Sequence, residues 1–165
     1  MEYSGGSINM TKKQKNQFID IDNAREDEQK QVMEDIAEAK HCPFCRENLC
    51  KYHQEPILKE GKFWIVTTNQ WPYAHTKHHF LLIYKVHAVN LSDLSPAAGQ
   101  ELFELVAEIE ESYKLQGGGF AMRFGDTNYS AGTVNHLHVQ LIEPDLTDPD
   151  FAPVRIKIGK NRDKN

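Results

Sequence analysis

The chain has 165 residues, 39% of them hydrophobic and 26% charged, with a formal net charge of −5. That length suffices for one domain with a real core and some surplus at the ends. The negative balance argues against a nucleic-acid binder held mainly by phosphate contacts, but not against a small anion gripped by local donors. The longest apolar run, Phe80 to Tyr84, is far too short to span a bilayer.

Residues 1–21 are polar and begin with a Gly/Ser cluster, so they read as a flexible arm outside the fold. No charged-then-apolar leader opens the sequence. Its three cysteines, two of them in a C-x-x-C, make no paired disulfide framework. A cytoplasmic protein is the expectation. From Asn23 to Lys40, Val32, Met33, Ile36 and Ala37 fall at helical spacing and predict a surface helix leading into Cys42.

Phe63 to Thr67 and Phe80 to Tyr84 are β-branched and aromatic, and predict strands joined through a turn at Asn69 to Tyr73. His75, His78 and His79 read as a solvated loop near a site mouth. Ser95 is a good N-cap and Pro96 suits the first helical position. Leu102, Phe103, Leu105, Val106, Ile109 and Tyr113 then share one helical face, ended by Gly117 to Gly119. Further strands are predicted over Phe120 to Phe124 and Asn135 to Ile142. The alternation of Val154 to Ile158 suggests an edge strand or a swapped arm. The expected fold is α+β, with a mostly antiparallel sheet, one long helix and an N-terminal helix. Residues 22–145 form the domain and 146–165 a C-terminal extension. No internal repeat is present.

The chemistry concentrates in His136-Leu137-His138-Val139-Gln140-Leu141. Alternate residues of a strand share a face, so His136, His138 and Gln140 project together. In front of them, the loop from Gly125 to Thr133 offers backbone N–H groups, amides and hydroxyls to phosphate oxygens. The plainer alternative is a half-buried strand whose polar face meets solvent.

The motif Asn-His-Leu-His-Val-Gln-Leu-Ile resembles the histidine-triad (HIT) superfamily. So do His79 to His87, with their Lys-x-His ending, and the Leu91-Ser92-Asp93-Leu94 approach to the long helix. The resemblance runs from about Cys42 to Pro144 and implies a HIT-like fold with a five-stranded sheet. Two positions depart from the pattern. Gln140 replaces the last histidine, which is similar to the galactose-1-phosphate uridylyltransferase and dinucleoside tetraphosphate phosphorylase branch. Tyr84 stands where many members have proline.

The resemblance implies that His138 is a nucleophile forming a covalent histidyl–nucleotide, flanked by His136 and Gln140. An imidazole does this near neutral pH if its other nitrogen donates to a carbonyl and leaves a lone pair facing phosphorus. By the same similarity Asn69 meets a ribose hydroxyl, and Asn128, Ser130 and Thr133 belong to the substrate-binding set. A nucleotide or dinucleoside polyphosphate substrate and a homodimer with a joined sheet are also implied.

Cys42-Pro43-Phe44-Cys45 permits three readings. A redox motif would follow a core strand, whereas an acidic helical segment precedes this one. A local zinc knuckle would use Cys42, Cys45, Cys50 and His53. Similarity to zinc-bearing HIT-like proteins gives instead Cys42, Cys45, His87 and His136, a closed structural zinc site that staples the N-terminal segment to the catalytic strand. Function then divides between an enzyme acting at an α-phosphate, a nucleotide-binding module without turnover, and a structural zinc domain.

Overall fold

The computed structural model describes residues 18–160. A 3₁₀ turn at Ile21–Asn23 leads to α1 (Asp27–Ala39) and α2 (Arg46–Tyr52). Three strands follow: β1 (Ile57–Glu60), β2 (Trp64–Thr68) and β3 (Thr76–Tyr84). After a 3₁₀ turn at Leu91–Asp93 come the long helix α3 (Pro96–Tyr113), β4 (Gly119–Met122), a one-turn α4 (Thr127–Ser130) and β5 (His138–Pro144). The strands form one antiparallel sheet in the order β1-β2-β3-β5-β4. This is the expected α+β architecture.

Strand alternation sorts the sheet into two faces. Phe80, Leu82, Val139 and Leu141 pack with Trp64 and Val66 beneath Leu102, Leu105 and Ile109 of α3. Side chains of this size each stabilise the fold by about 1.5–3 kcal/mol when fully buried. The Trp64 indole N–H also donates to the Ala98 carbonyl at 2.8 Å, tying β2 to α3. The other face carries Ile65, Leu81 and Ile83 under Leu49 of α2. In register on it, Gln140 lies opposite Leu81 and His138 opposite Ile83. A third cluster, Ile19, Met33, Ile36 and Val134, fixes α1 and the N-terminal segment to the chain just before β5.

Helix α3 starts as its sequence predicts, with the Ser95 hydroxyl accepting from the Ala98 N–H at 3.1 Å and Pro96 at the first position. It ends earlier than the glycine run. Lys114 turns left-handed at φ 50°, and its N–H returns to the carbonyls of Glu110 and Glu111. The glycines serve the sheet instead. A Cβ on Gly118 would stand 1.9 Å from the Ile142 carbonyl oxygen, so only glycine lets β4 enter beside β5 at that position.

Four expectations change. β1 is a strand that the sequence did not mark, and Val154 to Ile158, read as an edge strand or a swapped arm, form no strand. β5 begins at His138, so His136 lies before the strand. Two short helices, α2 and α4, occupy stretches without a helical apolar stripe. The fold also starts before Asp22: Ile19 bridges Val134, and Thr127 Oγ1 donates to Asp20 Oδ2 at 2.6 Å. The rest of the predicted arm, residues 1–17, and the end of the extension, residues 161–165, lie outside the described residues. No described helix is long and apolar enough to cross a membrane.

Candidate active site and metal centre

His138 opens β5 and is 7% exposed. Its Nδ1 lies 2.7 Å from the His136 carbonyl oxygen, which can only accept, so Nδ1 carries the proton and Nε2 keeps its lone pair. Burial pushes its pKa down to about 4, against the raising effect of that carbonyl, and the charge of Arg123 pushes it the same way as burial. The ring is therefore neutral at physiological pH.

The ring faces a cavity of about 570 Å³ whose lining includes His138, Gln140, Asn69 and Thr133. Asn128 and Ser130 are not among its walls. Asp126 caps α4 by accepting from the Asn128 N–H, and Asn128 is exposed. Ser130 is buried, with its Oγ accepting from the Gly132 N–H. Thr133 reaches the cavity while its hydroxyl donates to the Asn23 carbonyl.

Several lining residues carry no signal in the motif. Phe44, inside the C-x-x-C, stands edge-on to both His138 and His136, with ring centroids 5.1 and 6.1 Å away. Arg25 lies over the Tyr73 ring at 4.1 Å and donates to the Trp71 carbonyl. Arg123 donates to the Ala131 carbonyl at 2.8 Å. A signal for Arg123 does exist: it continues the alternation of Ala121, which pairs with Gln140. Only the register of β4 on β5 converts that into proximity.

His79 corrects the solvated-loop reading. It sits within β3 and is 5% exposed, with Nδ1 accepting from the Tyr73 N–H at 3.1 Å. Asn69 and Gln140 flank it. Of its two neighbours, His75 pairs through Nδ1 with Asp148 at 2.5 Å, and His78 stacks on Phe80.

The second cluster lies just behind His138. Cys42, Cys45, His87 and His136 each present a donor atom, all within 4.8 Å of one another. His136 Nε2 donates to the Tyr84 carbonyl at 2.6 Å, leaving the Nδ1 lone pair toward the sulfurs, 3.2 Å from Cys42 and 4.0 Å from Cys45. A backbone carbonyl fixing the tautomer of a ligating histidine is what a metal site requires. Two sulfur and two nitrogen donors suit tetrahedral zinc. Burial, and then the charge of Cys42, push the Cys45 thiol up to about 12, so a cation is needed to hold it as thiolate. The local alternative does not assemble. Cys50 is exposed beside Arg46, and His53 is engaged with Thr67 Oγ1 at 2.8 Å. Nor does the C-x-x-C follow a core strand, as a redox motif would; α1 precedes it.

This sheet, with a buried histidine strand facing a cavity, is the arrangement of a histidine-triad domain. The chain belongs to the HIT domain family, whose model matches residues 58–145. No curated protein matches the sequence. Solved structures do resemble it. A hypothetical protein from Leishmania major is 18% identical with a TM-score of 0.55, the match covering 76% of this chain and 87% of that one. A HIT family hydrolase from Clostridium thermocellum is 20% identical with a TM-score of 0.50, covering 69% and 96%. A hypothetical histidine triad nucleotide-binding protein from Sulfolobus tokodaii is 23% identical with a TM-score of 0.50, covering 73% and 82%. At these identities the likeness establishes the fold.

Proposed function

We propose that this protein is an enzyme of nucleotidyl transfer or hydrolysis, in which His138 attacks the α-phosphate of a nucleotide or dinucleoside polyphosphate. The observation that carries the reading is the His138 tautomer. Nδ1–H is spent on the His136 carbonyl, which leaves the lone pair on Nε2, and His138 lines a cavity rich in cationic side chains. In the first step the Nε2–P bond forms while the bond from phosphorus to the leaving oxygen breaks, and that oxygen keeps the electron pair. The imidazole becomes cationic, stabilised by the carbonyl on Nδ1. An incoming oxygen then attacks phosphorus, the Nε2–P bond breaks, and neutral imidazole returns.

Gln140 cannot exchange a proton at this pH and serves by donating an amide N–H to a phosphoryl oxygen. This favours an anionic acceptor over water, in line with the uridylyltransferase and phosphorylase branch. Asn69 and Thr133 are the substrate contacts supported by their place in the cavity; Asn128 and Ser130 would need α4 to move.

Cys42, Cys45, His87 and His136 are the residues that would hold a structural zinc ion. Zinc there supplies charge compensation for the thiolates and a rigid cross-link, since four protein ligands leave no open position. Phe44 and the His136 carbonyl, both within the cross-linked segments, then hold the His138 ring in place. A homodimer continuing the sheet fits the unpaired side of β4, where Phe103 and Phe120 are 60% and 46% exposed.

The test is turnover of a dinucleoside tetraphosphate or an adenosine phosphoramidate by the purified protein. Product formation supports an enzyme. Tight binding of both without turnover would make the protein a binding module.

A further inference from the structure

Beyond the histidine strand, the cavity has a wall that the family model does not reach. Ala152, Pro153, Val154, Arg155 and Lys157, from the extension after β5, line it together with His138. Among the described residues, this wall is anchored on both sides. Before it, the Asp145 N–H donates to the His75 carbonyl, and His75 pairs with Asp148. After it, the Lys160 N–H donates to the Asn128 carbonyl at 2.8 Å, and its ammonium pairs with Asp20 at 2.6 Å and Asp22 at 3.0 Å. Between these anchors Arg155 and Lys157 line the cavity.

Charge on the walls is lopsided for so acidic a chain. Arg25, Arg123, Arg155 and Lys157 face one carboxylate, Asp22, which Lys160 already pairs. Among the described residues no carboxylate lies within ion-pair distance of any of the four cations. Arg123 is held in place through its terminal nitrogens, Nη1 donating to the Ala131 carbonyl at 2.8 Å. Clustered cations without counter-charges repel one another, and guanidinium and ammonium groups bind phosphate oxygens through charge-assisted hydrogen bonds. A multiply charged anion is the ligand that relieves the repulsion.

The geometry points to a second anion subsite, formed by Arg155 and Lys157 of the C-terminal strap with Arg123, for the phosphate chain beyond the α-phosphate. This deepens the proposed reaction and rests on it for its role. A group leaving opposite His138 and a group arriving there to discharge the adduct use the same space. One cationic wall therefore serves the departing polyphosphate and the incoming phosphate. Neither needs a proton at this step, because both carry their charge as oxyanions, which matches a site with glutamine at position 140. The strap thus selects substrates whose leaving group is a phosphate chain.

The experiment is calorimetric binding of inorganic tripolyphosphate, which has no nucleoside and needs no chemistry at His138. The full chain should bind it, and Arg155→Ala/Lys157→Ala should weaken binding by about tenfold or more, since both charge-assisted contacts to the phosphate oxygens are lost. Lys59→Ala/Lys62→Ala removes the same charge outside the cavity and should leave the affinity within about twofold. No binding by the parent, equal binding by the strap variant, or equal weakening in both variants would overturn the subsite. Because tripolyphosphate bypasses His138, an inactive parent that still binds it through the strap would count against the catalytic reading alone.

Discussion

The chemistry proposed for His138 rests on two properties, the side it faces and its tautomer. Alternation with Gln140 predicts which side it faces; the carbonyl that fixes its tautomer comes from His136, two residues earlier on its own chain. His138→Ala should lower turnover by roughly 10⁴ or more while nucleotide affinity stays within a few fold, because the remaining walls supply the ground-state binding. Steady-state kinetics with a binding titration checks this. Gln140→His should shift product from phosphorolysis toward hydrolysis, since a histidine can take the proton of incoming water. Product ratios with and without phosphate measure it, and an unchanged ratio would make Gln140 a spectator. His79 was illegible as a site residue because its place depends on β3 running back to Thr76, four residues beyond the apolar core of that strand. Its pKa is held down to about 4, first by burial and then by the charge of Arg25, against 6.5 unfolded. Such a group binds its proton only in the unfolded chain between those values. Its stabilisation is complete above the unfolded value and is lost as pH falls from there toward about 4. Denaturant titrations of His79→Gln should therefore lose less stability than the parent between about pH 7 and about pH 5; parallel losses would remove His79 as the cause.

At the scale of elements, what was legible followed from local chemistry. The start of α3 was readable because Ser95 and Pro96 act within one turn, and Ser95→Ala should cost about 1 kcal/mol in chemical denaturation. The missed elements depend on partners far away in sequence. β1 is a strand because it pairs with β2 across its turn, and three of its four residues are exposed, so no apolar pattern marks it. Residues 154–158 alternate like a strand, yet no neighbouring strand offers them a ladder. The Cys42, Cys45, His87 and His136 cluster joins three separate segments; the resemblance to zinc-bearing HIT-like proteins favours it over the local Cys50 and His53 alternative, but only the fold brings its donors together. About one zinc per chain is expected, lost in His87→Ala and retained in Cys50→Ala; metal analysis of the two variants decides between the sets. Chelation of that zinc should also lower the unfolding temperature, since the cross-link ties α1 and the C-x-x-C loop to the start of β5.

Across the whole molecule, the sequence revealed the architecture and the polar strand but not the enclosure around it. Arg25, Phe44, Arg123 and the strap at 152–157 come from four places in the chain, and only folding brings them to one cavity. The cavity walls are basic on a protein of net charge −5, so composition pointed away from the ligand's charge while the local surface points toward it. The proposed reaction depends most on a covalent bond between His138 and the nucleotide. Its most direct measurement is the intact mass of the chain, quenched rapidly after mixing with a panel of dinucleoside polyphosphates. The parent should gain one nucleotidyl increment, acid-labile as a phosphoramidate is, and His138→Ala should gain none. Turnover by the parent with no such increment at any quench time, or an undiminished increment on His138→Ala, would contradict it.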